Sequence, residues 1–408
     1  MSELQRRSRF PSLAGLLRLR RGMIAANPRR YVKMLVVCLG MLLVVDAVVG
    51  WPFLVARLQA VAVLDRVGAQ PVPALVRWLA VEPVKTTELT LTLPSGVERA
   101  RMYIPVNHPN APGMVLVHGV HYLGMDEPRL EAFASAMAAC GLRVLTPELP
   151  NIKDYHIGAS SIASIGDTAA WMAHASGDKP VGVMGLSFSG SLSLLAAAEP
   201  RYKRDIKFVV AVGSEGEMSR VANYYLTGKA LRPSGEAEVL APHEYGALVL
   251  EYESLEDFVP AADRDAVRLV LRNHLYEDFA GERAALAKLT QGQLAEAKQL
   301  MDTTSPTTRR MIAESDARHM AAMASVSPDG RLAQLATPVF LLHGEGDNII
   351  PSAETQWLEK DVPPSEMEAS LISPVISHLD LDGKGPGFAD QWRLVRFFAQ
   401  VLHAAEAR

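Results

Sequence analysis

A ten-residue run in the middle of the chain, Val181–Gly190, reads VGVMGLSFSG and constrains the fold more than any other segment. Apolar residues lead up to Gly185, and small and apolar residues continue after Ser187, which predicts a buried strand that turns directly into a helix. The run therefore predicts that Ser187 lies at the tip of this strand, with small residues on either side of the turn.

Three other predicted strands run into loops with polar side chains. The strand at 114–117 is followed by HGVH, and the strand at 338–342 is followed by HGEGD, which ends at Asp347. The last predicted strand, 368–372, precedes a loop that contains His378. The order along the chain is therefore a serine, then an acid, then a histidine.

From Thr87 to the C-terminus, these features resemble the α/β-hydrolase superfamily, whose nucleophile lies in the motif G-x-S-x-G. The resemblance implies that Ser187 takes a strained conformation with positive φ, in which bulky neighbours would collide and the hydroxyl is exposed above the sheet. The match is imperfect, because Ser189 takes the place of the second glycine and Gly190 follows one position later. The resemblance implies an α/β fold with a mostly parallel eight-stranded sheet flanked by helices. A predicted hairpin at 88–105 begins this domain, and a predicted helix at 388–405 closes it.

The resemblance also implies an active site. Its predicted members are Ser187 as nucleophile, His378 as general base, Asp347 as the acid that orients the base, and the backbone N–H groups of Phe188 and Val120 as the oxyanion hole. His118 is expected to brace the loop that carries Val120.

Alternatives remain open at several of these positions. Glu345 competes with Asp347 for the role of the acid, and His319 and His403 are rivals of His378. His121 and Tyr122 are candidates for lining the substrate pocket, although an exposed loop histidine is an equally good interpretation of His121.

The proposed residue types match the needs of acyl transfer. A serine hydroxyl is a weak nucleophile at neutral pH, so it requires a neutral imidazole that accepts its proton. A buried carboxylate holds that imidazole in the correct tautomer and stabilises its cationic form. Two backbone N–H groups then stabilise the charge on the carbonyl oxygen, by about 3 kcal/mol each.

The segment between the predicted nucleophile and the predicted acid is longer than one strand and one helix require. Residues 215–332 are rich in helical patterns at 263–279, 282–301 and 306–324, the last with proline at its first position. Long loops without structure are rare in compact domains. This segment is therefore predicted to form a helical cap over the catalytic face.

The N-terminus carries the second strong signal. Residues 1–33 are basic, and residues 34–54 are apolar apart from Asp46, a length that fits a hydrocarbon core of about 30 Å. By the positive-inside rule, we predict a single-pass membrane anchor with a cytoplasmic N-terminus and an extracytoplasmic catalytic domain. A cleaved signal peptide is the alternative. Residues 55–86 are either a juxtamembrane amphipathic linker or a packed helix of the hydrolase domain at 87–408.

Composition excludes several classes of function. The net charge of −4 gives no reason to expect nucleic-acid binding, and no phosphate loop, dinucleotide fingerprint or metal-ligand cluster appears, so neither a cofactor nor a metal is predicted. The oligomeric state stays open. The predicted function is a serine hydrolase that cleaves a small-molecule or lipid carboxylic ester. A thioesterase, an amidase and a non-catalytic binding module with this fold are the alternatives.

Overall fold

The computed structural model describes residues 28–376 and 387–406, and the chain divides into two units between Leu54 and Val55. A single helix, α1 (Pro28–Val67), begins in the first unit and ends in the second. In the first unit, large apolar side chains at Val32, Met34, Val36, Val37, Leu39, Met41, Trp51, Phe53 and Leu54 are exposed. Over 28–376 and 387–406, no helix combines the length and apolarity needed to cross a bilayer. That finding gives no support to the anchor predicted at 34–54.

The second unit begins at Val55, well before the predicted domain boundary at 87. Ala56, Ala60, Ala62 and Val63 on the last turns of α1 are buried in its core, and the Cys140 thiol donates to the Gln59 carbonyl at 3.5 Å. This part of the predicted linker at 55–86 is therefore a packed helix of the domain. A short helix, α2 (Ala74–Ala80), follows it.

The core of the second unit is an eight-stranded sheet in which only β2 runs against the other strands. Its strand order is β1-β2-β4-β3-β5-β6-β9-β10. The strands are β1 (Val84–Leu93), β2 (Gly96–Pro105), β3 (Gly113–Val117), β4 (Arg143–Pro147), β5 (Val181–Leu186), β6 (Ile206–Val212), β9 (Val339–Gly344) and β10 (Met367–Ser373). This is the mostly parallel sheet of the predicted α/β-hydrolase fold.

Both faces of the sheet are buried, as the continuous apolar runs of its central strands require. Along β3, Val115 and Val117 face one apolar core while Met114 and Leu116 face another. The helices that flank the sheet are α3 (Pro128–Ala139), α4 (Pro150–Lys153), α5 (Ser160–Ala175), α6 (Phe188–Ala198), α13 (Ala353–Asp361) and α14 (Phe388–Glu406). The predicted closing helix is thus confirmed.

The segment between β6 and β9, referred to below as the cap, is mainly helical. Its helices are α7 (Met218–Thr227), α8 (Glu244–Glu253), α9 (Arg264–Leu275), α10 (Phe279–Leu286), α11 (Gln291–Met301) and α12 (Pro306–Val326). It also contains a short hairpin of β7 (Lys229–Leu231) and β8 (Ala237–Val239), which the sequence patterns did not indicate. The helix predicted at 263–279 ends at Leu275 in the structure, and a separate helix, α10, begins at Phe279.

Candidate active site

Ser187 lies at the turn between β5 and α6 with φ of 55° and ψ of −137°. Its N–H donates to the Val212 carbonyl at 2.7 Å, and its own carbonyl accepts from the Gly190 N–H at 2.9 Å. A non-glycine residue in this region persists only when its surroundings hold it there, and such residues cluster at functional sites. The strained turn predicted from the sequence is confirmed.

Steric contacts explain which of the neighbouring residues must be small. A Cβ atom on Gly185 would lie 2.3 Å from the Ser189 carbonyl oxygen, and one on Gly190 would lie 1.9 Å from the Ser214 Oγ. The turn therefore requires glycine at 185 and 190. At position 189 a side chain fits, and the buried Ser189 hydroxyl donates to the His118 carbonyl at 2.6 Å. The departure from G-x-S-x-G thus supplies a hydrogen bond to the loop after β3.

The loop after β3 lies directly against the nucleophile turn. A Cβ atom on Gly119 would be 3.2 Å from the Ser187 Cβ, so the loop backbone passes within van der Waals contact of the serine. The next residue, Val120, accepts a hydrogen bond on its carbonyl from the Tyr245 hydroxyl at 2.7 Å. Phe188 is the first residue of α6, where N–H groups have no acceptor within the helix. The oxyanion-hole roles of Phe188 and Val120 stay predictions.

His118 braces this loop. It is 2 % exposed, its Nδ1 lies 2.7 Å from the Gly119 carbonyl oxygen, and its Nε2 accepts from the Leu149 N–H at 3.0 Å. Burial lowers the pKa of His118 to about 4. A neutral ring that donates from Nδ1 and accepts at Nε2 satisfies both contacts, so this histidine holds backbone in place.

The two candidate acids after β9 differ sharply in environment. Asp347 is 1 % exposed, and its Oδ1 accepts from the N–H groups of Ile349 and Ile350, both at 2.9 Å. Its Oδ2 lies 3.4 Å from the Nε2 of His343. Glu345 is exposed. A carboxylate that orients an imidazole works from a buried, fixed position, which favours Asp347.

The sheet register brings the nucleophile turn and the acid loop to one edge. Leu186 pairs with Val212, and Val212 pairs with Leu342, so β5, β6 and β9 end at the same level. Neighbouring strands are about 4.8 Å apart, which separates the ends of β5 and β9 by about 10 Å. That gap is wide enough for an imidazole between a serine and a carboxylate.

The predicted base, His378, lies outside the described residues. The chain leaves the sheet after Ser373, whose carbonyl accepts from the Glu345 N–H at 3.0 Å. The segment toward position 378 therefore starts beside the loop of Asp347. Its role in a triad stays a prediction.

The two rival histidines have other surroundings. His319 lies on α12 of the cap, with its Nε2 3.0 Å from the Asp257 Oδ2. His403 is on α14, two residues before Ala405, whose carbonyl accepts from the Lys207 Nζ at 2.8 Å near the start of β6. Since Ser187 lies near the opposite end of these strands, His403 is far from the serine.

The predicted pocket residues connect the loop after β3 to the cap. The His121 ring stacks on Tyr122 with centroids 4.8 Å apart, and Tyr122 stacks on Tyr276, which follows α9, at 4.9 Å. The half-buried His121 accepts from the Leu123 N–H at 3.2 Å, and burial lowers its pKa. Whether either residue contacts substrate stays a prediction.

Sequence reasoning missed two residues of this edge. Tyr245 on α8 reaches the Val120 carbonyl across 125 positions of sequence. Glu215, just after β6, is fully buried, and neither of its carboxyl oxygens has a hydrogen-bond partner in the described structure. Burial raises the pKa of Glu215 well above its usual value. The one sequence signal for Glu215 was its position just after a predicted strand. No sequence pattern around Tyr245 indicated its contact with Val120.

The residues of the described ranges include no group of three or more His, Cys, Asp or Glu side chains arranged to hold a metal ion. Ser187 bonds to the backbone of Val212 and Gly190, and Asp347 bonds to the backbone of Ile349 and Ile350. This edge can position a nucleophile, a carboxylate and backbone donors around a carbonyl carbon.

No protein-family model matches the chain, and no curated protein matches it significantly. Solved structures similar to it include an esterase of Pyrobaculum calidifontis, with 15 % identity over 86 % of this chain and 90 % of that one and a TM-score of 0.42. A bacterial membrane phospholipase A has 14 % identity over 92 % and 99 % of the two chains, with a TM-score of 0.40. A 2,6-dihydroxy-pseudo-oxynicotine hydrolase has 14 % identity over 80 % and 70 %, with a TM-score of 0.41. At such values the strand order and the turn after β5 remain the basis for assigning the α/β-hydrolase fold.

Proposed function

We propose that this protein is a serine hydrolase that cleaves carboxylic esters with Ser187 as nucleophile. The observation that carries the proposal is the backbone at Ser187, whose positive φ is held by bonds to Val212 and Gly190. Such a conformation costs about 1–3 kcal/mol in a non-glycine residue. A binding module without catalysis has no need for that strain, so the turn favours an enzyme.

In the proposed reaction, the Ser187 Oγ attacks the ester carbonyl carbon while His378 takes the hydroxyl proton. The carbonyl oxygen becomes negative and is stabilised by the N–H groups of Phe188 and Val120. The C–O bond then breaks, and His378 gives its proton to the departing alcohol, leaving an acyl-serine. A water molecule, deprotonated by His378, then attacks the acyl carbon. The bond from that carbon to the Ser187 Oγ breaks, His378 returns the proton to this oxygen, and the carboxylic acid leaves. Asp347 stabilises the imidazolium in both steps.

The proposal is tested by labelling the full chain with a fluorophosphonate probe, which bonds to an activated serine. We expect labelling of the wild type and none of Ser187→Ala, whose hydrolysis of a short p-nitrophenyl ester should fall at least about 10³-fold. Ser234→Ala, in an exposed turn of the cap, is the matched control and should label normally. An unlabelled and inactive wild type would instead favour the non-catalytic module.

The ester preference is tested separately on matched substrates. The same acyl group is offered as an oxygen ester, a thioester and an anilide, and kcat/KM is compared. The proposal expects the oxygen ester to be preferred, and a preference for either of the others would reassign the protein to the thioesterases or amidases.

A further inference from the structure

The cap carries five tyrosines, at positions 224, 225, 245, 252 and 276. The hydroxyls of all but Tyr225 donate to groups outside the cap, and these bonds fasten the cap to the rest of the second unit. They are the bonds from Tyr224 to the Asn348 carbonyl at 3.2 Å, from Tyr245 to the Val120 carbonyl at 2.7 Å, and from Tyr252 and Tyr276 to the Asp154 Oδ1 at 3.4 and 3.1 Å.

Tyr225, on α7, is the exception. It is 4 % exposed, and its hydroxyl has no hydrogen-bond partner in the described structure. A buried tyrosine hydroxyl ordinarily has a partner, because an unpaired one loses the hydrogen bonds that it makes with water. The hydroxyl of Tyr224, one residue earlier on the same helix, is paired. The lack of an acceptor among the described residues therefore points to a partner that comes from outside the chain.

Close packing against α8 fixes the place of the Tyr225 hydroxyl. A Cβ atom on Gly246 would lie 2.3 Å from the Tyr225 Cζ and 2.7 Å from its hydroxyl oxygen, so a side chain at 246 would displace the ring. Gly246 directly follows Tyr245, which holds the Val120 carbonyl. The unpaired hydroxyl thus lies at the part of the cap that contacts the loop after β3.

A second buried group without a partner lies beside the nucleophile turn. Both carboxyl oxygens of Glu215 lack a hydrogen-bond partner in the part of the chain that the structure describes. The Glu215 backbone carbonyl accepts from the Ser191 hydroxyl on α6 at 2.5 Å, and the adjacent Ser214 hydroxyl donates to the Ser187 carbonyl at 2.9 Å. Glu215 is therefore held by the same helix and loop that support Ser187.

The phenol of Tyr225 lies near both Glu215 and the candidate acid. Tyr224 bonds to the carbonyl of Asn348, the residue after Asp347, so this end of α7 contacts the acid loop. Burial, and then the negative charges of Asp347 and Glu215, raise the pKa of Tyr225 well above its usual value. Charges act strongly on a pKa only over short distances. Two unpaired polar groups, one from the cap and one from the edge, thus lie close to the turn of Ser187.

We propose that the Tyr225 hydroxyl and the Glu215 carboxyl bind a hydroxyl group of the substrate, close to the ester bond that Ser187 attacks. One substrate hydroxyl satisfies both groups, because it accepts from the phenol and donates to a carboxyl oxygen. The substrate class is then a hydroxylated ester, and the site rests on the proposed function. A site that pairs a substrate hydroxyl rejects the analogue without it, since its own buried groups would stay unpaired.

The experiment compares kcat/KM of the full chain within two pairs of esters, in each of which a methyl group replaces the hydroxyl. Ethyl 3-hydroxybutanoate and ethyl 3-methylbutanoate place the change on the acyl side. The esters 2-hydroxyethyl butanoate and propyl butanoate place it on the alcohol side. We expect the hydroxyl ester to be preferred about tenfold or more in one of the pairs, and that pair identifies the side of the ester that the two groups contact.

Variants assign the preference to the two groups. Tyr225→Phe should lower kcat/KM for the preferred hydroxyl ester about tenfold or more relative to its methyl partner, and Glu215→Met should act in the same direction. A merely structural role would lower both esters equally. Tyr224→Phe, whose hydroxyl is paired with Asn348, is the matched control and should leave the preference unchanged. Fluorophosphonate labelling of every variant checks that the turn of Ser187 is intact.

Two different failures are distinguishable. A labelled wild type without preference for the hydroxyl in either pair, or a preference that Tyr225→Phe leaves intact, would overturn the substrate hydroxyl site and leave Ser187 as the nucleophile. An unlabelled and inactive wild type would overturn the proposed function, and the substrate hydroxyl site with it.

Discussion

The edge of the sheet that carries Ser187 and the helical cap contain different kinds of buried polar group. At the edge, the buried His343 has its Nδ1 2.6 Å from the Thr355 hydroxyl and its Nε2 2.8 Å from the Ile350 carbonyl oxygen, and Asp347 accepts two backbone N–H groups. In the cap, Glu251 on α8 is fully buried, and its two carboxyl oxygens have no hydrogen-bond partner in the described structure.

This difference shows where hydrogen bonds fix the ionisation state of buried groups and where that state depends on the surroundings. Satisfied buried networks hold one geometry, whereas a buried carboxyl without a partner stays protonated until the pH is high or a cation arrives. Glu215 is the exception at the edge, since its carboxyl resembles that of Glu251. The groups around Asp347 are therefore fixed by hydrogen bonds, whereas burial raises the pKa of Glu251 in the cap well above its usual value.

The largest expected effect concerns the acid at the edge. Asp347→Asn should lower kcat about 10³–10⁴-fold, because the amide would leave the predicted base in the wrong tautomer. Glu345→Gln, two residues earlier and exposed, should change kcat less than about twofold. Steady-state hydrolysis of a p-nitrophenyl ester measures both. The reverse ranking would assign the acid to Glu345.

The next effect concerns the cap and pH. The folded pKa of Glu253 is about 7, above its unfolded value of 4.5, so folded protein binds more protons between these values. The contribution of this carboxyl to the free energy of unfolding should therefore be fully present below about pH 4.5 and be lost as the pH rises through 7. Glu253→Gln removes this loss and should gain on the order of 2 kcal/mol at pH 8 relative to the wild type.

Urea unfolding at pH 5 and pH 8 measures the change, with Glu244→Gln as the control that should leave the pH dependence unaltered. An identical pH dependence in Glu253→Gln and the wild type would mean that the ionisation of Glu253 does not affect the stability of the protein.

A smaller effect is expected from the hydroxyl that joins the turn to the loop after β3. Ser189→Ala leaves the buried His118 carbonyl without its side-chain donor and should reduce the free energy of unfolding by about 1–2 kcal/mol. Ser193→Ala, also buried on α6, removes only a bond to the carbonyl four residues earlier and should cost less. Denaturant unfolding measures both variants. Equal losses of unfolding free energy would mean that the Ser189 bond to the loop stabilises the protein no more than the Ser193 bond within the helix.

The smallest effect tests the hydrogen bond between the cap and the Val120 carbonyl. Tyr245→Phe removes the hydroxyl bond to the Val120 carbonyl and should lower kcat/KM severalfold, or about 1 kcal/mol. Tyr252→Phe, on the same helix with a hydroxyl contact of 3.4 Å to Asp154, should be milder. If Tyr245→Phe retains full activity, the hydroxyl bond to Val120 does not help to position the edge.

Much of the fold was predictable because its signals are local. The strand-turn-helix at Ser187, the buried strands around it and the closing helix at 388–406 follow from apolar periodicity and small residues at close contacts. The candidate acid was predictable for the same reason, since it lies a few residues beyond a recognisable strand. Positive φ at Ser187 is likewise a property of the turn itself.

What the sequence alone determined is therefore the order of strands and helices and the residue types at their ends. The tertiary structure decided which faces meet. It buried one face of the end of α1, with Ala56, Ala60 and Val63, in the domain, and it placed Tyr245 against Val120. These contacts join residues far apart in the chain. Apolar periodicity predicts the secondary structure of a segment, whereas the burial and the pKa of a side chain depend on the residues that pack against it from elsewhere in the chain.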